Sequence, residues 1–190
     1  EQQRDAGDRV RHEERQVELF LRRGVTRVEA SAFMQLGAGL IRYRLQGLRM
    51  SPDGRVIAPN RIIAKISRPE VATHFMSPAP EKIVRDLLAA RRITEDEARL
   101  SQLVPVAQDI CVEADSGGHT DKGVAFALLP ATMRLREELQ SRHRYTGAMR
   151  IGAAGGLGTP AELAAASIMG ADFVVCGSIN QWTGEAGTSR

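Results

Sequence analysis

The sequence predicts a parallel α/β fold of the barrel type. Short apolar runs alternate with helical patterns along the whole chain, which is the order that builds βα units on a parallel sheet. Each run is rich in Val, Ile or Ala, as strands covered on both faces are. Residues suited to chemistry lie at the C-terminal ends of several runs, and this favours a TIM (β/α)8 barrel over an open doubly wound sheet. Five such units do not close eight strands, so the reading implies strands beyond these.

In chain order, residues 12–23 read as a helix that ends at Gly24, a good C-cap. The first strand is expected over 25–32. Residues 47–60 look like a loop, with Pro52, Asp53 and Gly54 marking a turn. A second strand covers 61–67. Two helices follow at 80–91 and 94–103, the second opened by Thr94 and Glu97 at capping-box spacing. The third strand is 109–115. Within the helical pattern of 124–143, Pro130 puts the start of the helix proper near Ala131. The fourth strand is 149–154. A helix over 160–169 has Pro160 at its first position, Thr159 as N-cap and Glu162 three residues on. The last strand is 172–178.

The chain has 190 residues, 43% hydrophobic and 4% aromatic, so it has the material for one aliphatic core. Its basic residues are almost all arginine and are scattered, which leaves no nucleic-acid footprint. No apolar run approaches the roughly 18 residues of a membrane span. Cys111 and Cys176 lie in apolar runs, where cysteine behaves as a small hydrophobe, and this fits a reducing, cytoplasmic setting. No metal site is assigned.

Three glycine-bearing stretches lie at predicted strand ends. Gly155 and Gly156 would let backbone N–H groups approach an anion, beside the positive N-terminus of the helix capped by Thr159. Gly177 and Ser178 end the last strand, and in barrels the loops after the last two strands commonly share one phosphate site. The alternative is that both are only tight turns. In the third stretch, Gly117 and Gly118 clear space beside something flat or bulky. His119 then carries a side chain suited to proton transfer near neutrality. A solvent-facing turn histidine is the alternative. His12, His74 and His143 sit in helical or surface contexts.

Strand alternation places Cys111, Glu113 and Asp115 on one face, and Lys65 on the face of Ile63 and Ser67. Glu29 shares a face with Ser31. A charge inside an apolar strand is costly unless paired. Lys65 and Glu113 are therefore expected to point inward and either pair or touch a ligand, unless they face solvent between helices.

EADSGGHTD (113–121), AAGGLGTPAELAAASIMGADFVVCGSINQ (153–181) and the closing EAGTS resemble the PfaD-type enoyl reductases of the nitronate monooxygenase superfamily. SAFMQLGAGLIRYRLQGL (31–48) and KISRPEVATHFMSPAP (65–80) resemble them too, so the similarity covers essentially the whole chain. It implies an FMN-dependent TIM barrel that reduces enoyl thioesters on an acyl carrier protein of a polyketide or polyunsaturated fatty acid synthase. The enzyme would act in trans, with NADPH (or NADH) as reductant. Gly155, Gly156, Gly177 and Ser178 would hold the FMN phosphate, and Gly117 and Gly118 would pass the flavin. His119 would be the catalytic acid or base. Beside such a flavin, a positive group such as Lys65, with Glu113 next to it, is expected to stabilise the anionic reduced cofactor.

The resemblance also implies that residues 1–190 form a single partial barrel domain carrying a helical insertion at 76–105. The five strands would be the last five of eight, without counterparts of the first three or of the segment after EAGTS. The chain begins at Glu1 rather than methionine, in keeping with a piece of a longer protein or with flanking residues left out. A nitronate monooxygenase-like oxidase and a non-catalytic or truncated synthase component are the alternatives. A homodimer is left open.

Overall fold

All five apolar runs form strands. In the computed structural model they are β1 (Arg27–Ser31), β4 (Arg61–Ile66), β5 (Asp109–Glu113), β6 (Arg150–Ala154) and β7 (Phe173–Val175), with two short strands between, β2 (Arg49–Met50) and β3 (Val56–Ile57). The helices are α1 (Gln2–Arg22), α2 (Ala38–Leu45), α3 (Pro69–Met76), α4 (Glu81–Ala89), α5 (Glu95–Leu100), α6 (Ala125–His143) and α7 (Pro160–Ile168). The structure describes residues 2–31, 35–115 and 121–187, and only the backbone of residues 2–11 and 178.

The main sheet runs β1-β4-β5-β6-β7, every pair parallel. Its order follows the chain without reversal, whereas a doubly wound sheet reverses at a switch point. Parallel register aligns side chains into rows. Ala30, Ala64, Ile110 and Ile151 form one row, and Ile66, Val112, Ala153 and Val174 another. Except for Val174, which is partly buried, these residues are buried. Helices α3 and α6 pack on this face of the sheet and on each other. The opposite face carries Glu29, Lys65, Cys111, Glu113 and Asp109; Cys111 and Asp109 are buried, Lys65 and Glu113 are half-buried, and Glu29 is exposed. The aliphatic half of the alternation thus builds the core, and the polar half is left for the site.

The helical stretch within 76–105 comprises α4, α5 and a 3-10 turn at Ser101–Leu103. The Thr94–Glu97 capping box is present. The buried Glu97 also accepts a hydrogen bond from the Gly47 amide at 2.6 Å, which ties α5 to the end of α2. Arg44 is fully buried and donates to the carbonyls of Pro105 at 3.0 Å and Asn60 at 2.7 Å, and to the Gln108 side chain. Burial, helped by the nearby Arg61 charge, pushes its guanidinium down to about 10. These carbonyls replace the water that the cation loses.

Several sequence expectations are corrected. Helix α6 begins at Ala125, not Ala131, and holds Pro130 inside. Proline removes one amide bond, to the carbonyl of Phe126, and Phe126 is exposed where water is at hand. Leu129, Thr132 and Leu139 are buried, so packing decides. The first helix starts at Gln2 rather than at residue 12. The loop 47–60 contains an antiparallel hairpin, β2 on β3, closed through Gly54 at φ +79°. Strand β7 stops at Val175, and Ser178 opens a 3-10 turn to Trp182. Cys176 is half-buried rather than buried, and both cysteines are free. Helices α2 and α3 were not expected.

Candidate functional site

The C-terminal ends of β4, β5, β6 and β7 meet at a cavity of about 390 Å³, lined by Lys65, Glu113, Ala154 to Gly158, Glu162, Val175 and Gly177. That volume falls in the range of small-molecule and cofactor pockets. Lys65 Nζ lies 3.2 Å from Glu113 Oε1 and 4.0 Å from Glu29 Oε1. Register explains the cluster. Lys65 is level with Ser31 on β1 and with Cys111 on β5, so Glu29 and Glu113 stand one side-chain step below and above it. The expected Lys65–Glu113 pair is present, and Glu29 is a member that the sequence reading did not pair.

Burial works against the Lys65 ammonium, but the bond and charge of Glu113 outweigh it, so its pKa is raised. Two carboxylates share that one cation. Ser31 Oγ donates to Glu29 as well. Burial pushes the Cys111 thiol up to about 12, so it stays protonated and offers no thiolate.

After β6 the chain passes over the end of β5. Gly155 and Gly156 have φ +96° and +68°, and a Cβ on Gly155 would lie 2.3 Å from the Ala114 carbonyl oxygen. Glycine at 155 is therefore required by packing as well as by conformation. Gly156, Leu157 and Gly177 line the cavity, and their amides make no hydrogen bond among the described residues. Backbone with unused donors is what an anionic group needs. The residues present thus fit the phosphate of a flavin mononucleotide.

The N-terminus of α7 differs from expectation. The Glu162 carboxylate accepts from Gly158 N–H and Thr159 N–H, each at 2.8 Å, closing the capping box with Thr159. These bonds hold its pKa below the ordinary value. The amides expected to greet an anion are already taken by a carboxylate.

Asp115, Asp121 and Gly123 make contacts of their own. Arg68 binds Asp121 in a bidentate pair at 2.9 and 2.7 Å, and Ser67 Oγ donates to the same carboxylate. Asp115 N–H donates to the Gly123 carbonyl at 2.9 Å. The Arg68 bond, then that of Ser67, holds the Asp121 carboxyl down to about 2. Gly117, Gly118 and His119 lie outside the described residues, as does the side chain of Ser178. The sequence reading missed Arg68, Asp121, the cavity face of Glu162 and the amide of Leu157. Among the described residues no group of His, Cys, Asp or Glu could hold a metal ion, and no helix is long and apolar enough to cross a membrane.

No family model matches the chain. Its fold superposes on the enoyl reductase domain of MlnA from the macrolactin biosynthesis cluster of Bacillus amyloliquefaciens with a TM-score of 0.90 and 44% identity, covering 97% of this chain and 41% of that one. It is 54% identical over 177 residues to the polyketide biosynthesis protein PksE of Bacillus subtilis. It is 49% identical over 179 residues to the polyketide biosynthesis protein ThaF of Burkholderia thailandensis. A polyunsaturated fatty acid synthase component of Thraustochytrium sp. is 49% identical over 174 residues. These similarities support the PfaD-type resemblance along nearly the whole chain. It spans 23% of PksE, 16% of ThaF and 12% of the synthase component. Against PksE the similarity covers 93% of this chain. The PfaD-type likeness is therefore not confined to the glycine loops.

Proposed function

We propose that the protein is an FMN-dependent enoyl reductase that acts in trans on enoyl thioesters carried by an acyl carrier protein of a polyketide or polyunsaturated fatty acid synthase. NADPH (or NADH) is the reductant. The observation that carries this reading is the shared cavity. The Lys65–Glu113 pair and Gly156, Leu157 and Gly177, with their unused amides, line one space at the strand ends. The chain order of the parallel strands also supports a TIM barrel, of which this chain would supply five successive strands.

FMN, when bound, supplies the hydride that the β-carbon of the enoyl thioester accepts. The chain's own residues do the rest. Gly156, Leu157 and Gly177 offer backbone donors to the phosphate, and glycine leaves room for it. Lys65 shares its charge with Glu113 and Glu29, so it serves as an oriented donor at the cavity wall rather than a free counter-ion. Cys111, protonated and buried level with Lys65, offers no thiolate. His119 holds the proton that the α-carbon takes as the double bond becomes single. Ser67 and Arg68 clamp Asp121, which lies two residues further along the chain.

The test is His119→Ala in the full-length protein, with a crotonyl thioester as substrate. General acid help is worth about 100- to 10,000-fold, so turnover should fall by that order while FMN stays bound. Near-normal reduction by the variant removes His119 from the role. A full-length protein that binds no FMN removes the reading as a whole.

A further inference from the structure

Glu162 belongs to the cavity as well as to its helix. Its carboxylate lines the space together with Gly155, Gly156, Leu157, Gly158 and Gly177. Two backbone bonds at 2.8 Å hold it in place, and they also keep it ionised. The cavity's charge is lopsided. Lys65 is its one cation among the described lining residues, and Glu113 and Glu29 already compensate it. Glu162 then adds a negative charge with no cationic partner among the described residues.

We propose that Glu162 sets the charge selectivity of this cavity, so that a ligand ending in one phosphate is admitted and one with an extended diphosphate is disfavoured. The idea rests on the flavin reading above and deepens it. A single phosphate is served by the unused amides of Gly156, Leu157 and Gly177. At the start of α7 the Gly158 and Thr159 amides already donate to Glu162 and do not serve a second phosphate. It meets a fixed carboxylate instead, and like charges this close repel, most strongly at low salt because Glu162 is exposed. The mononucleotide is thus favoured over the dinucleotide by this chain's own side chain.

Glu162→Gln separates charge from structure, since glutamine also completes a capping box. Full-length wild type and variant are titrated with riboflavin, FMN and FAD by flavin fluorescence, with circular dichroism to verify the fold. The expected result is that FAD tightens by about 3- to 10-fold relative to FMN in the variant, the order expected for removing one nearby charge, while riboflavin is unmoved. An unchanged FAD-to-FMN ratio in a folded variant overturns the role of Glu162 and leaves the flavin reading standing. Glu162→Asp, which keeps the charge, should leave the ratio as in wild type; a ratio that moves as far as in the glutamine variant overturns the charge argument too. Inorganic phosphate and pyrophosphate, titrated without flavin, distinguish the two ideas. If no flavin binds but the preference for pyrophosphate rises in Glu162→Gln, the flavin reading fails and the selectivity holds. If neither flavin nor either phosphate binds, both are overturned.

Discussion

Replacing Lys65 with Met tests whether the charged cluster across β1, β4 and β5 is a coupled unit. The substitution keeps the length of the side chain and removes the cation, leaving Glu113 and Glu29 without it. A charge-assisted contact of the 3.2 Å kind is worth about 1.5–3 kcal/mol when fully enclosed. Both partners keep about a quarter of their side-chain exposure, at 25% and 26%, and screening by solvent brings the expected coupling down to about 1 kcal/mol. The assay is a double-mutant cycle of Lys65→Met and Glu113→Gln by chemical denaturation. Each single variant should be destabilised, and the double variant should lose about 1 kcal/mol less than their sum. The pH dependence has a definite sign. The Lys65 pKa is raised on folding, so the contribution is fully present below the unfolded value of 10.5 and is lost as pH rises through the folded value. The coupling should therefore be flat through neutrality. A coupling within about 0.3 kcal/mol of zero refutes the pairing as an energetic unit.

Other outcomes follow from the loops. Gly155→Ala should cost more than about 2 kcal/mol, since φ +96° disfavours alanine and its Cβ would meet the Ala114 carbonyl; thermal melting checks it. Gly158→Ala, with nothing within 4 Å of the added carbon, should stay within about 0.5 kcal/mol. Asp121 has a folded pKa lowered to about 2 from 3.8, so its stabilising effect is present above the unfolded value and is lost as pH falls through about 2. Asp121→Asn should accordingly flatten the loss of stability over that acid range, read by pH titration of ellipticity.

The strands were legible because runs such as RIIAKIS and DICVEAD are dense in aliphatic residues, and parallel pairing buries them where expected. The Lys65–Glu113 contact was legible for a related reason. Period-two alternation put both on the face opposite Ile66 and Val112, and adjacent parallel strands do the rest. What escaped depended on three-dimensional partners. Pro130 reads as a helix start, yet buried Leu129 and Thr132 hold the turn before and after it in one helix. Helix α3 was missed although Pro69 at its first position was a usable signal. Helix α2 carries no such signal. Its first turn has glycine, and its anchor is the distant Glu13 carboxylate accepting from the Leu40 amide at 2.8 Å. Glu162 was read correctly as a cap, but its bonds to both Gly158 and Thr159 close the anion site expected at that helix end. Local spacing cannot show which of two acceptors, an external phosphate or an internal carboxylate, takes a given amide.

The most direct measurement is the visible absorption spectrum of the full-length protein, taken without oxygen as FMN, then NADPH, then a crotonyl thioester are added. The account predicts that FMN binds with a perturbed spectrum, that NADPH bleaches it, and that the thioester restores the colour. A protein that leaves the FMN spectrum unperturbed, or one whose bleached flavin the thioester cannot restore, contradicts it.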